Sequence, residues 1–117
     1  MSNSMNNINL FNKNTIKFLK NLYNIIDNKN IKNQIINNIN TIESLLFINN
    51  TILINKFKKD IYVFKNNIFE EDNRVIDYLD KLNFIPSVKV KHIWDNMNNY
   101  NKDICWKYLK TFIILCE

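Results

Sequence analysis

Glycine and alanine are absent from this chain of 117 residues, and proline, histidine and arginine each occur once. Without glycine the chain cannot form a phosphate-binding loop, a dinucleotide-binding fingerprint or a nucleophile elbow, since each requires glycine at fixed positions. One histidine, His92, and two cysteines, Cys105 and Cys116, do not supply the ligands of a structural metal site. We therefore predict no cofactor, no bound metal and no enzymatic activity.

Three residue types with A/T-rich codons dominate the composition. Asn, Ile and Lys together fill about half of the positions, well above their usual share. A strongly A/T-biased genome explains both this excess and the missing residues, whose codons are rich in G and C. The chain is too apolar to stay disordered, because hydrophobic residues make up 46% and aromatic residues 13% of it. We predict a flexible N-terminus at residues 1–9 and a single helical domain at residues 10–117.

The chain carries no pattern that would send it into or across a membrane. No positively charged start with a long apolar run marks a secretory signal, and no stretch approaches the roughly 18 apolar residues of a membrane span. Cys105 and Cys116 would lie on one face of a helix and roughly 16 Å apart, which is too far for a disulfide. The sequence predicts an intracellular protein that is not secreted, with two reduced thiols in its core.

Helical periodicity runs through most of the predicted domain. Apolar residues recur three and four positions apart, and asparagine clusters separate the stripes. Asparagine is the usual substitute for glycine at helix ends, so these clusters predict where helices stop and start. The apolar stripes of the candidate helices begin at Ile16, Ile31, Ile54, Val75, Val90 and Ile104. The predicted fold class is all-α, a compact bundle of five or six helices.

Candidate caps and turns support this division of the chain. Asn30, Thr51 and Ser87 are placed to accept hydrogen bonds from free backbone N–H groups at helix starts. The acidic run at residues 70–72 suits the N-terminus of the helix that contains Val75, since carboxylates face the positive end of the helix dipole. The single proline of the chain forces a turn before the fifth helix.

The last candidate helix is apolar on more than one side. Its broad apolar face predicts that it is the central helix of the bundle or that it meets a partner. Trp106, Ile113 and Ile114 are apolar outside that face, so packing along it does not account for them. The predicted interaction surface comprises Trp106, Lys110, Ile113 and Ile114.

Each of the remaining charged candidates has two interpretations, a functional role or a structural or solvated position. His92 is consistent with an acid–base role or with a solvated place at a helix edge. The acidic run at residues 70–72 is consistent with half of a carboxylate site or with a charged helix start. Lys13, Lys17 and Lys20, in a chain of net charge +5, suit contact with nucleic acid or a solvated face. Because the chain has a single arginine, nucleic acid is a less favoured partner than protein.

Four short motifs in the second half of the chain resemble those of a known group of viral proteins. They are Ile68-Phe69, Phe84-Ile85-Pro86, the segment at residues 90–94 and the segment at residues 102–109. Through them residues 54–116 resemble small, mostly uncharacterised helical proteins of nucleocytoplasmic large DNA viruses, the mimivirus-like giant viruses. The last motif of that group typically reads IWKYLQ, where this chain has Cys105 between Ile and Trp. The group often carries glycine near the proline, where this chain has Ser87.

The resemblance implies a viral protein of the host cytoplasm or the virion, with no catalytic residues to carry over. Together with the missing catalytic groups, it predicts protein–protein interaction, with the chain itself, a virion component or a host protein as partner. A second interpretation is a bundle that inhibits host apoptosis or signalling by holding a partner's helix in a groove, as small poxvirus bundles do. This chain is shorter than most of those and lacks their glycine–arginine element. The third interpretation is a basic accessory protein that binds nucleic acid.

Overall fold

Helices occupy most of the residues that the structure, a computed structural model, describes, namely 4–82, 85–86 and 88–117. These residues form seven α-helices and one 3₁₀ helix at Tyr62–Phe64, with no strand among them. The α-helices are α1 (Met5–Ile25), α2 (Lys29–Ile48), α3 (Ile52–Asp60), α4 (Lys65–Phe69), α5 (Arg74–Lys81), α6 (Val90–Asp95) and α7 (Asn99–Cys116). The predicted all-α bundle is confirmed. The additional helix is α4, whose five residues are too few to show a helical period.

The first helix begins earlier than the sequence predicted. The Ser4 side chain caps α1 by accepting a hydrogen bond of 3.1 Å from a backbone N–H of the first turn. Ile8 is buried and continues the apolar stripe of α1 towards its N-terminus. Residues 5–9, which the sequence places in a flexible N-terminus, are thus helical, with Ile8 as their contact with the core, and the flexibility of this segment stays a prediction. Residues 1–3 lie outside the described part.

Asparagine serves as an end signal in this glycine-free chain. Asn28 and Asn98 are the N-caps of α2 and α7, and their side-chain oxygens accept backbone hydrogen bonds of 3.1 and 2.9 Å. Thr51 occupies the N-cap position of α3 without a side-chain hydrogen bond. The predicted cap at Asn30 is wrong, because Asn28 already caps the first turn and Asn30 lies inside α2. The predicted cap at Ser87 lies outside the described residues.

The turn after α4 requires a left-handed residue and uses glutamate. Glu71 has a φ of 54°, a region that glycine enters most easily. The backbone N–H groups of this residue and the next donate to the carbonyls of Ile68 and Asn67, which is the two-bond pattern of a Schellman motif. Asp72 accepts hydrogen bonds from the guanidinium and the backbone N–H of Arg74, which lower the pKa of its carboxyl group. The acidic run therefore builds a turn and the start of α5.

Helices α7 and α1 form the centre of the core. They run antiparallel, since Phe112 of α7 contacts Phe11 of α1 while Tyr108 contacts Phe18. The buried residues of α7 are Cys105, Trp106, Leu109, Phe112, Ile113 and Cys116. The prediction that the last helix is central to the packing is confirmed.

Helix α2 is attached to the core over a small part of its length. Only Ile35 and Ile39 of its 20 residues are buried, while Ile31 and Ile42 are half-buried. Its neighbours are α1 and α3. Because the C-terminal half of α2 carries few buried residues, a cleft opens along its inner side.

Candidate functional site

The structure buries half of the predicted interaction surface. Trp106 and Ile113 are 4% and 0% exposed, so the prediction that they face outward is wrong. Trp106 packs edge-on against Trp94 of α6, with the ring centroids 5.3 Å apart. Ile114 is exposed, and Lys110 forms an ion pair within the chain. The four residues therefore do not form one continuous surface.

Helix α4 covers the face of α7 that carries Ile113, while Trp106 is covered by Trp94 of α6. The Lys110 ammonium lies 2.6 Å from the Glu71 carboxylate, just after α4, and Lys65 at the start of α4 lies 2.8 Å from Glu117. These two ion pairs hold α4 against the face of α7 that carries Ile113. Helix α7 therefore has α1 on one side and α4 on another, and both sides belong to the core. The sequence did not reveal α4, so it left this face without a neighbour.

Both cysteines are free and buried, as the sequence predicted. The Cys105 sulfur lies 3.7 Å from the Met97 sulfur, and the Cys116 thiol donates to the Ile113 carbonyl at 3.3 Å. Burial raises the pKa of the Cys105 thiol to about 12, and burial also raises the pKa of Cys116. Neither thiol is therefore an active nucleophile at neutral pH.

We expect these thiols to react when the fold opens. The raised pKa of Cys105, about 12 against an ordinary 9.0, lowers its thiolate fraction at pH 8 about a thousandfold. A water-soluble disulfide reagent should therefore modify Cys105 of the folded protein about a thousandfold more slowly than Cys105 of the urea-denatured chain, and Cys116 should also react more slowly when folded. Two thiols per chain should react after denaturation. A fast reaction of one thiol in the folded protein would contradict its burial.

The remaining charged candidates lie apart from one another. His92 is exposed on α6, and its backbone carbonyl accepts a hydrogen bond from the Asn96 amide. Lys13, Lys17 and Lys20 are exposed on α1, a helix without acidic residues, and their contact with nucleic acid stays a prediction. Within the described ranges, no three His, Cys, Asp or Glu side chains are grouped to hold a metal ion. Nor does any helix there combine the length and apolar character needed to cross a bilayer.

An apolar cleft opens between α2 and the rest of the bundle, and we call it the α2 cleft. Its volume is about 240 Å³. Its walls come from α1, α2 and α3, with residues after α5 at one end and α7 beneath. The apolar lining residues are Phe11, Phe18, Leu19, Ile42, Leu45, Leu53, Phe57, Ile61, Leu82, Ile85, Pro86 and Phe112. The polar lining residues are Thr15, Asn38, Thr41, Lys56 and Asp60.

Four phenylalanines pack at the bottom of the α2 cleft. The ring centroid of Phe112 lies 4.9 Å from that of Phe11 and 5.7 Å from that of Phe57. Phe18 is a third neighbour of Phe112, at 6.1 Å. These rings meet at 44°, 65° and 70°, so the floor presents both ring edges and ring faces. An aromatic or aliphatic side chain that enters the cleft would pack against these rings. An aromatic ring would also find the tilted geometry that aromatic pairs favour.

The polar groups around the cleft are largely engaged within the protein. The Thr15 hydroxyl donates to a backbone carbonyl of α1, and the Asn38 amide donates to the Pro86 carbonyl, each at 2.9 Å. The Lys56 ammonium lies 4.0 Å from the Asp60 carboxylate, one turn along α3. The mouth therefore offers one positive and one negative group, and the interior offers apolar surface.

Apolar side chains project into solvent where α2 ends, beside the cleft. Phe47 is 95% exposed and Ile48 is 82% exposed, and we call this pair the α2 tip. Leu45, two residues before Phe47, lies on the cleft wall. Met5 is also exposed beside the turn that follows α2, since its sulfur lies 3.5 Å from the Asn50 amide nitrogen.

The exposed α2 tip could have been predicted from the length of one apolar run in the sequence, although not from helical periodicity. Residues 45–48 are four consecutive apolar positions, a run wider than the apolar stripe of an amphipathic helix. At least one of them must face away from the core. The cleft has no such signal, because its walls come from several helices and the space between them depends on tertiary packing.

Comparison of the chain with protein-family models, with curated proteins and with solved structures finds no match. The fold and the cleft therefore define its class, an all-α bundle with an open apolar cleft. The resemblance to giant-virus proteins stays a prediction.

Proposed function

We propose that this chain is a non-enzymatic binding protein that acts through protein–protein interaction and holds an apolar helix face of its partner in the α2 cleft. The observation that carries this proposal is a solvent-open apolar cleft of about 240 Å³ with an aromatic floor. Protein interiors are close-packed and leave few voids larger than a water molecule. A solvent-open space with a mostly apolar lining is instead typical of a binding site.

The size of the α2 cleft suits one or two large side chains. An apolar cavity of about 150 Å³ is enough to hold benzene. The cleft therefore has room for a phenylalanine or leucine side chain and part of a second one. Burial of each large side chain contributes about 1.5–3 kcal/mol. One or two such anchors contribute about 1.5–6 kcal/mol before the cost of association is subtracted, so contacts of the partner helix outside the cleft must add to the affinity.

The surroundings of the cleft favour a helix over a small polar metabolite. A metabolite site needs several placed polar groups that are free to orient the ligand. Here the Thr15 hydroxyl and the Asn38 amide already bond to the backbone. Lys56 and Asp60 stand one turn apart on α3, so a partner helix with an acid and a base one turn apart would complement both.

The biological setting is proposed from the resemblance in residues 54–116. It points to a virion component or a host-modulating protein in the cytoplasm of an infected cell. Of the functions that the sequence suggested, one requires such a groove: inhibition of host apoptosis or signalling by a bundle that holds a partner's helix. The A/T-biased composition suits such a viral source.

Leu45→Lys tests the cleft as a binding site. Amphipathic helical peptides would be selected from a displayed library on the immobilised full chain, and their affinities measured by calorimetry. A lysine at this position puts a charge on the apolar wall, so we expect binding to weaken at least about tenfold, which is about 1.4 kcal/mol. Ile36→Lys is the matched control, because Ile36 lies on the same helix and is 39% exposed against 37% for Leu45. It should change the affinity less than about twofold.

Two results would count against the proposed function. One is a failure to select any peptide above background. The other is a set of peptides whose affinity responds equally to the two lysine substitutions, because such peptides bind outside the cleft.

A further inference from the structure

The α2 tip is an apolar helix end presented to solvent on a well-formed backbone. Phe47 and Ile48 are 95% and 82% exposed, so the fold of a single copy does not depend on burying them. Helix α2 continues to Ile48, and the backbone N–H of Asn49 donates to the Leu45 carbonyl at 2.9 Å. A phenylalanine on such a fixed helix end has few side-chain torsions to immobilise when it is bound.

The α2 cleft matches this side chain in size and in chemistry. The side chain of phenylalanine is a benzene ring with one methylene, and benzene fits an apolar cavity of about 150 Å³. The cleft has about 240 Å³, which leaves room for Ile48 to follow Phe47 to the mouth. A ring that enters the cleft reaches the aromatic floor around Phe112.

The Phe47 side chain cannot reach the cleft of its own copy. Leu45 points into that cleft, and Phe47 follows it by two residues, which is about 200° around a helix. Phe47 therefore lies on nearly the opposite side of α2 from the cleft wall. A separate molecule is needed to bring a Phe47 side chain and a cleft together.

We propose that a second copy of this chain occupies the α2 cleft, with the Phe47 side chain of each copy inserted into the cleft of the other. Each copy offers one tip and one cleft, so two-fold symmetry would make the two contacts equal. This inference rests on the proposed function, because it names one helix end that the cleft would hold. Each copy carries a net charge of +5, and salt screens the repulsion between them. The dimer should therefore strengthen as salt is added, unlike one held by ion pairs.

The mass of the full chain in solution tests this arrangement. Light scattering after size exclusion should give roughly twice the 14.1 kDa of one chain at tens of micromolar protein. Phe47→Ser should raise the dimer dissociation constant on the order of a hundredfold or more, because each dimer loses two anchors. Its thermal midpoint as a monomer should match that of the wild-type monomer, because Phe47 is 95% exposed.

Tyr100→Ser is the matched control for the loss of an exposed ring. Tyr100 is 73% exposed at the start of α7, which lies at the opposite end of the bundle from the α2 tip. The dissociation constant of this variant should equal that of the wild type. Methyl NMR spectra recorded over a concentration series should show shifts at Leu19, Leu53 and Ile61, which line the cleft, and Phe47→Ser should abolish them.

Several outcomes separate this inference from the proposed function. A wild-type chain that stays monomeric at millimolar concentration overturns the dimer alone, and so does a dimer that is insensitive to Phe47→Ser. Selected helical peptides that bind the Phe47→Ser monomer in a Leu45-dependent way would still support the proposed function. A Phe47-dependent dimer whose monomeric variant binds no selected peptide would overturn the proposed function and retain the dimer.

Discussion

Phe112→Ala should lower the free energy of unfolding by about 3–5 kcal/mol. Phe112 is 1% exposed and lies at the centre of the aromatic cluster of α1, α3 and α7. Alanine would lose the buried area of the ring and leave a hole that joins the α2 cleft from below. Whole domains of this size are stable by about 5–15 kcal/mol, so this loss is a large share of the total. Urea unfolding followed by circular dichroism would measure it, and the thermal midpoint should fall by about 10–20 °C.

The control for this experiment is the same substitution at Phe47. Both changes remove a phenyl ring from a helix, but Phe47 is 95% exposed. Phe47→Ala should change the free energy of unfolding of the monomer by less than about 0.5 kcal/mol. Equal losses at the two positions would show that the aromatic cluster around Phe112 does not hold the core together.

Trp106→Ala should also destabilise the fold by about 3–5 kcal/mol. As an interface residue, Trp106 would disturb assembly on substitution and leave the monomer folded. The structure gives the opposite expectation, because Trp106 is 4% exposed and its ring meets Trp94 edge-on at 5.3 Å. Chemical unfolding of the variant, followed by far-ultraviolet circular dichroism, would measure the loss.

Ile114→Ala provides the comparison on the same helix. Ile114 is 60% exposed, so its loss should change the unfolding free energy by less than about 0.5 kcal/mol. A Trp106 variant as stable as this control would mean that α6 does not pack on α7 as the structure shows.

The helical class of the fold could be derived from the sequence because its cause is local. Apolar residues three and four positions apart produce one buried stripe per helix, and this pattern survives the unusual composition. Asparagine could be recognised as an end signal because the chain has no glycine to take that place. Asn28 and Asn98 bear this out with direct capping bonds.

The wrong outward placement of Ile113 has its structural origin in α4. Five residues cannot display a helical period, so nothing in the sequence placed a helix beside the second apolar face of α7. Without that neighbour, Ile113 had no packing partner. The contact of Trp106 with Trp94 of α6 is a tertiary contact that the spacing of residues within one helix does not show. The number of neighbours that a helix has is a tertiary property, and the apolar width of the helix alone does not reveal on which side they lie.

The α2 cleft was beyond sequence reasoning for a related reason. Most apolar lining residues belong to the apolar stripe of their own helix, so they are not unusual by themselves. The cleft exists because α2 is anchored by Ile35 and Ile39 and has few buried residues beyond them. The one accessible hint was the four-residue apolar run at residues 45–48, which a helical stripe cannot bury completely.

The glutamate in the turn after α4 has a consequence for the stability of that turn. A glycine at this position could close the turn by itself, whereas an L-residue with left-handed φ costs about 1–2 kcal/mol. Glu71, with a φ of 54°, is also the partner of Lys110 on α7, so a contact with the last helix offsets part of that cost. The turn between α4 and α5 therefore gains part of its stability from α7. A turn in the middle of the chain is thus strengthened by a segment that leaves the ribosome later.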